Sequence, residues 1–269
     1  MRVLLAGATG YLGGAVRPVL EASGHEVRPL PRPAADVVTG RGLESACQGC
    51  DAVVSLVGAL RGRPEALEAL HVTGTANLLR AAAAGGVRRF VHVGAAGAAA
   101  DGATAYQRTK ARAEDLVRAS GLEWVILRPT VVFGPGGPGP NMVRQLGGIL
   151  RRAPRMPVFG DGRYVLQPVS SANVARGIAG ALRCPPGRSY DVGGPERLSY
   201  LEVLRRIAAA QGRVLRPVFL PLPLVTVLVR LPGFPLGPDE LTMLLDGNTA
   251  DGSAFFRDFA VEPERFSGR

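Results

Sequence analysis

The chain has 269 residues, 46% apolar and 20% charged, which is enough to bury one or two sizeable cores and excludes a disordered tail or a disulfide-held miniprotein. Its 32 basic residues, 31 Arg and the single Lys110, outnumber 22 acidic residues for a formal charge of +10, but arginine is scattered from Arg2 to Arg269 without the aromatic interleaving of a nucleic-acid surface, so no nucleic-acid partner is expected. Three cysteines and no apolar leader point to a reducing, cytoplasmic setting, and the longest uncharged apolar stretch, residues 217–229, is too short and too proline-rich (Pro217, Pro221, Pro223) to cross a bilayer.

Residues 2–6 form a short apolar run that breaks into Gly7-Ala-Thr-Gly-Tyr-Leu-Gly-Gly14, and residues 15–22 continue as a helix. The pattern repeats with strands over 26–30, 35–38 and 52–57, a short helix over 43–47, a long helix over 65–84, a strand over 89–93, a helix over 104–120 and a strand over 124–127. Strands alternating with helices at this spacing predict an α/β fold built on a Rossmann-type, doubly wound parallel sheet. Pro29 and Pro31 lie two residues apart in the second strand, so both missing N–H donors face one neighbour, which predicts a weak or frayed edge there.

After Pro129 the run Gly134-Pro-Gly-Gly-Pro-Gly-Pro140 marks the exit from regular sheet. It divides the chain into a dinucleotide-binding domain over 1–135 and a smaller C-terminal α/β lobe over 136–269, some segments of which return to the main sheet. The lobe is expected to hold a helix near 141–152, a strand and turn near 157–162, a helix over 172–182 started by Ser171, a strand over 189–192 and a helix opened by a Ser199–Glu202 capping box.

Each glycine of the first turn has a separate task. Gly7 permits the tight turn, Gly10 lets backbone approach a pyrophosphate, and Gly13 lets helix pack on strand, while the helix N-terminus offers free N–H groups and a positive dipole. The acid that meets a free ribose 2′-hydroxyl about 20 residues further on is replaced by Arg32, whose guanidinium suits a 2′-phosphate, so NADP(H) is favoured over NAD(H) as cofactor.

Tyr106-Gln-Arg-Thr-Lys110 puts a phenol and the chain's one ammonium on the same helix face. A lysine placed at random falls four residues after one of five tyrosines roughly 2% of the time, and a nearby positive charge is expected to lower the phenol pKa into the range useful for proton transfer.

At these residues the chain resembles the short-chain dehydrogenase/reductase superfamily in its extended, atypical branch. The resemblance runs through Gly7-Ala-Thr-Gly-Tyr-Leu-Gly-Gly14, Leu56-Val-Gly-Ala-Leu-Arg-Gly62, His71-Val-Thr-Gly-Thr-Ala-Asn-Leu-Leu79, Val87-Arg-Arg-Phe-Val-His92 and Leu127-Arg-Pro-Thr-Val-Val-Phe-Gly-Pro135. Pro157-Val-Phe-Gly-Asp-Gly162, Gln167-Pro-Val-Ser-Ser-Ala-Asn-Val174 and Leu220-Pro-Leu-Pro-Leu224 extend it over nearly the whole chain and make it similar to the nucleotide-binding accessory subunit of respiratory complex I and its bacterial epimerase/dehydratase-like relatives.

The resemblance implies that Gly7, Thr9, Gly10, Tyr11, Leu12 and Gly13 hold the pyrophosphate and Arg32 the adenosine phosphate. Leu56, Val57, Gly58, Val93 and Gly94 would line the strand ends, Lys110 would bond the nicotinamide ribose, Tyr106 would face the substrate, and Pro129, Thr130, Val131 and Val132 would support the nicotinamide ring. Two departures stand out. The family's Ser falls at Gly94-Ala95-Ala96 with no hydroxyl before Gly102, and its Asn is replaced by His71. Losing one preorganised donor to a developing oxyanion can cost on the order of 10² to 10³ in rate, and Thr104 has the wrong spacing to replace it.

Two functions follow: a weak or specialised oxidoreductase acting on a carbonyl or quinone-like substrate, or a non-catalytic dinucleotide-binding protein of structural or regulatory role. Cys47 and Cys50 read as core packing rather than a metal or redox pair, and no metal is expected. His71 reads as a surface or cofactor-edge histidine. The stretch 217–229, closing on Val229, reads as a core contact between lobes, with an exposed patch for a membrane face or a partner protein as its alternative.

Overall fold

A computed structural model describes residues 1–153, 155–231 and 236–269 of the chain. The first half alternates as its hydrophobic periods require: β1 (Arg2–Ala6), α1 (Tyr11–Ala22), β2 (Glu26–Pro29), α2 (Leu43–Cys47), β3 (Ala52–Ser55), α3 (Pro64–Glu68), a π-helical turn (Ala69–Thr73), α4 (Gly74–Ala84), β4 (Arg89–Val93), α5 (Ala105–Arg118) and β5 (Glu123–Pro129). Then come β6 (Val132–Phe133), α6 (Met142–Arg152), β7 (Arg155–Phe159), β8 (Val165–Leu166), β9 (Val169–Ser170), α7 (Ser171–Ala181), β10 (Arg188–Val192), β11 (Leu198–Ser199), α8 (Tyr200–Ala209), β12 (Arg216–Leu220), α9 (Leu222–Leu228), α10 (Pro238–Leu245) and α11 (Ser253–Asp258).

The main sheet is six-stranded and parallel in the order β10-β5-β4-β3-β1-β2. Alternation along each strand feeds two cores. Val3, Leu5, Val54, Val91 and Leu127 face α1 and α7, while Leu4, Val53, Phe90 and Ile126 face α2, α4 and α5. β10 and α7 thus return from the second half to complete the main sheet and its α1 side. The remainder of that half builds a separate core around α6 and α8 and a small one joining Phe159, Val225, Val229 and Leu241.

Residues 35–38 do not form the expected third strand; they run through turns, with Ala35 and Val37 buried against the α2–α4 core. The two prolines account for this. Glu26 and Leu30 donate their N–H groups to Met1 and Leu5 of β1, so residues 29 and 31 face outward, and proline leaves no donor there for a further strand. β2 is accordingly the sheet edge.

Smaller expectations also change. β3 ends at Ser55, before Leu56; the long helix is interrupted by the π turn; and the strand near 157–162 lies at β7. α7 is capped by Ser170, not Ser171, and Ser199 caps α8 while Glu202 turns to Arg206 instead of closing a capping box. Cys47 and Cys50 are buried free thiols, and burial pushes the Cys47 thiol up to about 12. Among the described residues, no helix is long and apolar enough to cross a membrane.

Candidate active site

The carboxyl ends of β1 and β3 meet where the sheet order reverses, the usual ligand crevice of an open α/β sheet. Gly7 follows β1 at φ 90°, and a Cβ on it would stand 3.1 Å from Leu56, so the glycine turn and the loop after β3 touch backbone to backbone. α1 starts from Gly10 without a side-chain cap, so no capping side chain competes with an anion for the N–H groups and positive end of the helix. This uncapped helix end and side-chain-free turn fit the pyrophosphate of a dinucleotide. Thr9 is exposed beside them, Tyr11 and Gly13 are buried, and Leu12 is half-buried.

The glycine–proline run after β6, read from sequence only as a breaker, lies against this same helix end. Gly137 N–H donates to Tyr11 O at 2.8 Å, Tyr11 O–H donates to Gly134 O at 2.9 Å, and a Cβ on Gly139 would stand 2.6 Å from Tyr11 N. Arg144 holds the run from the other side, donating to the carbonyls of Gly137 (2.6 Å) and Gly136 (2.8 Å) with its guanidinium 5.1 Å from the centre of the Tyr11 ring.

On α5, Tyr106 and Lys110 lie one turn apart as spaced. Lys110 is buried and donates from Nζ to the Val93 carbonyl at 2.9 Å; burial lowers its pKa to about 8, against the pull of Glu114. Tyr106 is half-buried, and its hydroxyl has no hydrogen-bond partner among the described residues. The expected depression of its pKa is overturned: burial pushes the phenol up to about 12, while the ammonium is committed to Val93.

His71 sits in the π turn and is buried, which corrects its reading as a surface residue. Its Nε2 accepts Ala59 N–H at 3.1 Å, and Nδ1 lies 2.8 Å from Thr109 Oγ1. Because that hydroxyl donates to Ala105 O (2.8 Å), the network assigns the proton to Nδ1. The ring meets Tyr106 edge to face at 5.7 Å, and burial, aided by the Lys110 charge, lowers the imidazole to about 4. A Cβ on Gly58 would stand 3.4 Å from Lys110 Nζ and 3.6 Å from His71 Nε2, so Gly58, His71 and Lys110 converge.

The place where the family carries Ser is occupied from behind. A Cβ on Gly94 would collide with Glu114 Oε1. Glu114 is buried, and its Oε2 accepts Arg128 Nε (2.8 Å), Arg128 Nη2 (2.6 Å) and Arg118 Nη2 (2.8 Å). Thr104 does not substitute: it caps α5, with its hydroxyl donated to Gln107 Oε1 at 3.0 Å.

Lys110, Val93 and Gly58 therefore come together with Tyr106, and Gly7 with Leu56. Arg32 stands apart, exposed on the loop beyond β2. Val57 is half-buried after β3. Pro129 ends β5; Thr130 spends its hydroxyl on Gln167 O at 2.5 Å; Val131 and Val132 are half-buried beyond it. Sequence reasoning missed Thr109, Glu114 and Arg144. Glu114 follows Lys110 at helical spacing, a weak signal; Arg144 had none.

A family model described as NAD(P)H-binding matches residues 7–185. An uncharacterized protein of Mycobacterium tuberculosis is 30% identical over 234 residues, covering 81% of this chain but 24% of the relative, so the chain spans about a quarter of that protein's length. The 4-hydroxy-2-methyl-3-oxo-4-farnesyl-3,4-dihydroquinoline-1-oxide ketoreductase of Stigmatella aurantiaca is 28% identical over 256 residues, 80% of this chain and 75% of the relative. Among solved structures, the Thermus thermophilus UDP-glucose 4-epimerase complex with NAD superposes with a TM-score of 0.81 at 21% identity, over 100% of this chain and 96% of that one, and shows the same fold.

Proposed function

Because the chain belongs to the NAD(P)H-binding family, we propose that it is a reductase that uses a nicotinamide dinucleotide against the carbonyl of a small lipophilic molecule. The observation that carries this reading is geometric: Tyr106 lies one helical turn before Lys110 on α5, its hydroxyl without a hydrogen-bond partner among the described residues, while Lys110 reaches the end of β4 at Val93. When bound, the reduced nicotinamide supplies the hydride. Tyr106 donates its proton to the substrate oxygen as charge develops there. Lys110 turns from Val93 toward the nicotinamide ribose. His71 fixes the loop carrying Leu56, Val57 and Gly58 against α5.

In this reading Gly7, Thr9, Gly10, Tyr11, Leu12 and Gly13 take the pyrophosphate, Val93 and Gly94 line the strand ends, and Pro129, Thr130, Val131 and Val132 back the nicotinamide. Arg32 pairs with a 2′-phosphate, which makes NADP(H) the preferred cofactor. The Stigmatella relative is named for a keto group on a farnesyl-bearing quinoline, which supports a lipophilic ketone or quinone-like substrate.

The test is NADPH oxidation against a panel of apolar ketones and quinones with wild type and Tyr106→Phe, together with calorimetry of NADPH and NADH. The expected result is a Tyr106-dependent rate, with binding kept in the variant and NADPH the tighter ligand. Tighter NADH binding removes the role given to Arg32. The closed Gly94 position favours a second reading, a dinucleotide-binding protein without turnover; equal background rates in both proteins establish that reading instead.

A further inference from the structure

The segment that leaves β12 does not bury what its composition asks it to bury. α9 has the sequence Leu-Pro-Leu-Val-Thr-Val-Leu, apolar all round apart from Thr226, and such a helix belongs in a core. Only Val225 within it, and Val229 just beyond, are buried, against Phe159 and Leu241. Val218 and Phe219 of β12 are 43% and 52% exposed, and Leu224 and Val227 of α9 are 48% and 58% exposed. With Leu222 and Leu231, also exposed, they concentrate exposed apolar surface in one short segment, residues 218–231, of the kind that marks an interaction site.

Charge says what covers it. Between Glu202 and Asp239 the chain carries five arginines and no acidic residue, and of these Arg205 and Arg206 of α8 are spent on Glu202 and Glu196. Arg216 and Arg230, which bracket the apolar stretch, are exposed and have no carboxylate partner among the described residues. Arg155, in register with Arg216 across the β7–β12 pair, is exposed and equally unpaired. A second copy of the chain docking two-fold on this face would set arginine against arginine. Exposed apolar side chains flanked along the chain by unpaired arginines suit the acyl boundary and anionic headgroups of a lipid bilayer, where burial of apolar area and attraction to the headgroups add.

We propose that the β12–α9 face docks on an anionic membrane surface. The proposal stands whether or not the chain is a reductase. If it is, the face is well placed to serve a lipophilic substrate: α9 shares a core with α10, and Glu240 of α10 is ion-paired with Arg61 on the loop that follows Gly58.

The test is co-sedimentation of the full chain with vesicles of phosphatidylcholine alone and of equal parts phosphatidylcholine and phosphatidylglycerol, at low and high salt. Wild type is expected to pellet with the mixed vesicles only and to be released by salt. Phe219→Asp with Leu224→Asp, and separately Arg216→Glu with Arg230→Glu, are expected to lower binding by an order of magnitude or more, since each arginine near the surface contributes about 1 kcal/mol, roughly fivefold. These side chains are exposed, and circular dichroism melts check that the variants fold; lipid and salt dependence of the wild type tests the proposal without them. Wild type staying in the supernatant with mixed vesicles overturns it, as does undiminished binding by both folded double variants. A wild-type dimer in light scattering that Phe219→Asp with Leu224→Asp makes monomeric, without vesicle binding, assigns the face to a protein partner and overturns it too.

Discussion

The Glu114 carboxylate fills the space into which a side chain on Gly94 would project. The glycine at the family's Ser position and the buried acid one helix face away are two sides of one packing solution. Glu114 is in turn fixed by Arg128 and Arg118, so it cannot swing clear without exposing buried charge. Restoring the hydroxyl by Gly94→Ser is therefore expected to destabilise the fold by about 1–3 kcal/mol through overpacking, without raising a reductase rate. Gly94→Ala should cost as much, because the collision begins at Cβ. Thermal melts of both variants check this; a Gly94→Ser protein as stable as wild type refutes it.

His71 makes stability depend on pH. Its folded-state pKa, about 4, lies below the ordinary value of 6.5, so the unfolded chain takes up the proton first as pH falls. Stability is expected to decline from pH 6.5 down to about 4, by an amount on the order of 3 kcal/mol from this residue alone. His71→Asn keeps a short polar side chain with nothing to titrate. Denaturant melts between pH 7 and pH 4 should show a shallower decline for the variant, and parallel curves would contradict the assignment.

The pair on α5 titrates in the order Lys110, then Tyr106. With Lys110 at about 8 and Tyr106 at about 12, the phenol keeps its proton throughout the working range while the lysine loses its charge first. Carbonyl reduction is expected to be level from pH 6 to about pH 7 and to fall through pH 8, with the loss appearing as a weaker grip on the dinucleotide. Tyr106→Phe should lower kcat by roughly 10²–10⁴ with dinucleotide binding unchanged. Rate profiles over pH, with KM for NADPH measured at each point, separate the two residues.

What is legible in the sequence is what local chemistry dictates. The strand–turn–helix order, the glycine turn after β1 and the Tyr106–Lys110 spacing each rest on neighbours within a few residues. The rest depends on contacts that only the folded chain makes. Thr109 and His71 are 38 residues apart, and Tyr11 and Gly134 are 123 apart. The expected lowering of the Tyr106 pKa fails for the same reason: spacing places the charge, but burial and the Val93 carbonyl determine its effect.

The sheet edge is the place where a local rule has a global result. Pro29 and Pro31 point their missing donors away from β1, which ends the sheet at β2 and leaves residues 35–38 to turns. An edge without donors is also a poor template for another chain. Pro29→Val with Pro31→Thr restores both outward N–H groups while leaving the bonds of Glu26 and Leu30 to β1 in place. The double variant is expected to self-associate in a concentration-dependent way through β2, seen as a shift toward dimer or larger species by size exclusion with light scattering. If its mass distribution matches wild type at every concentration, the prolines are not what closes the edge, and the turns over 35–38 must be held by the burial of Ala35 and Val37 alone.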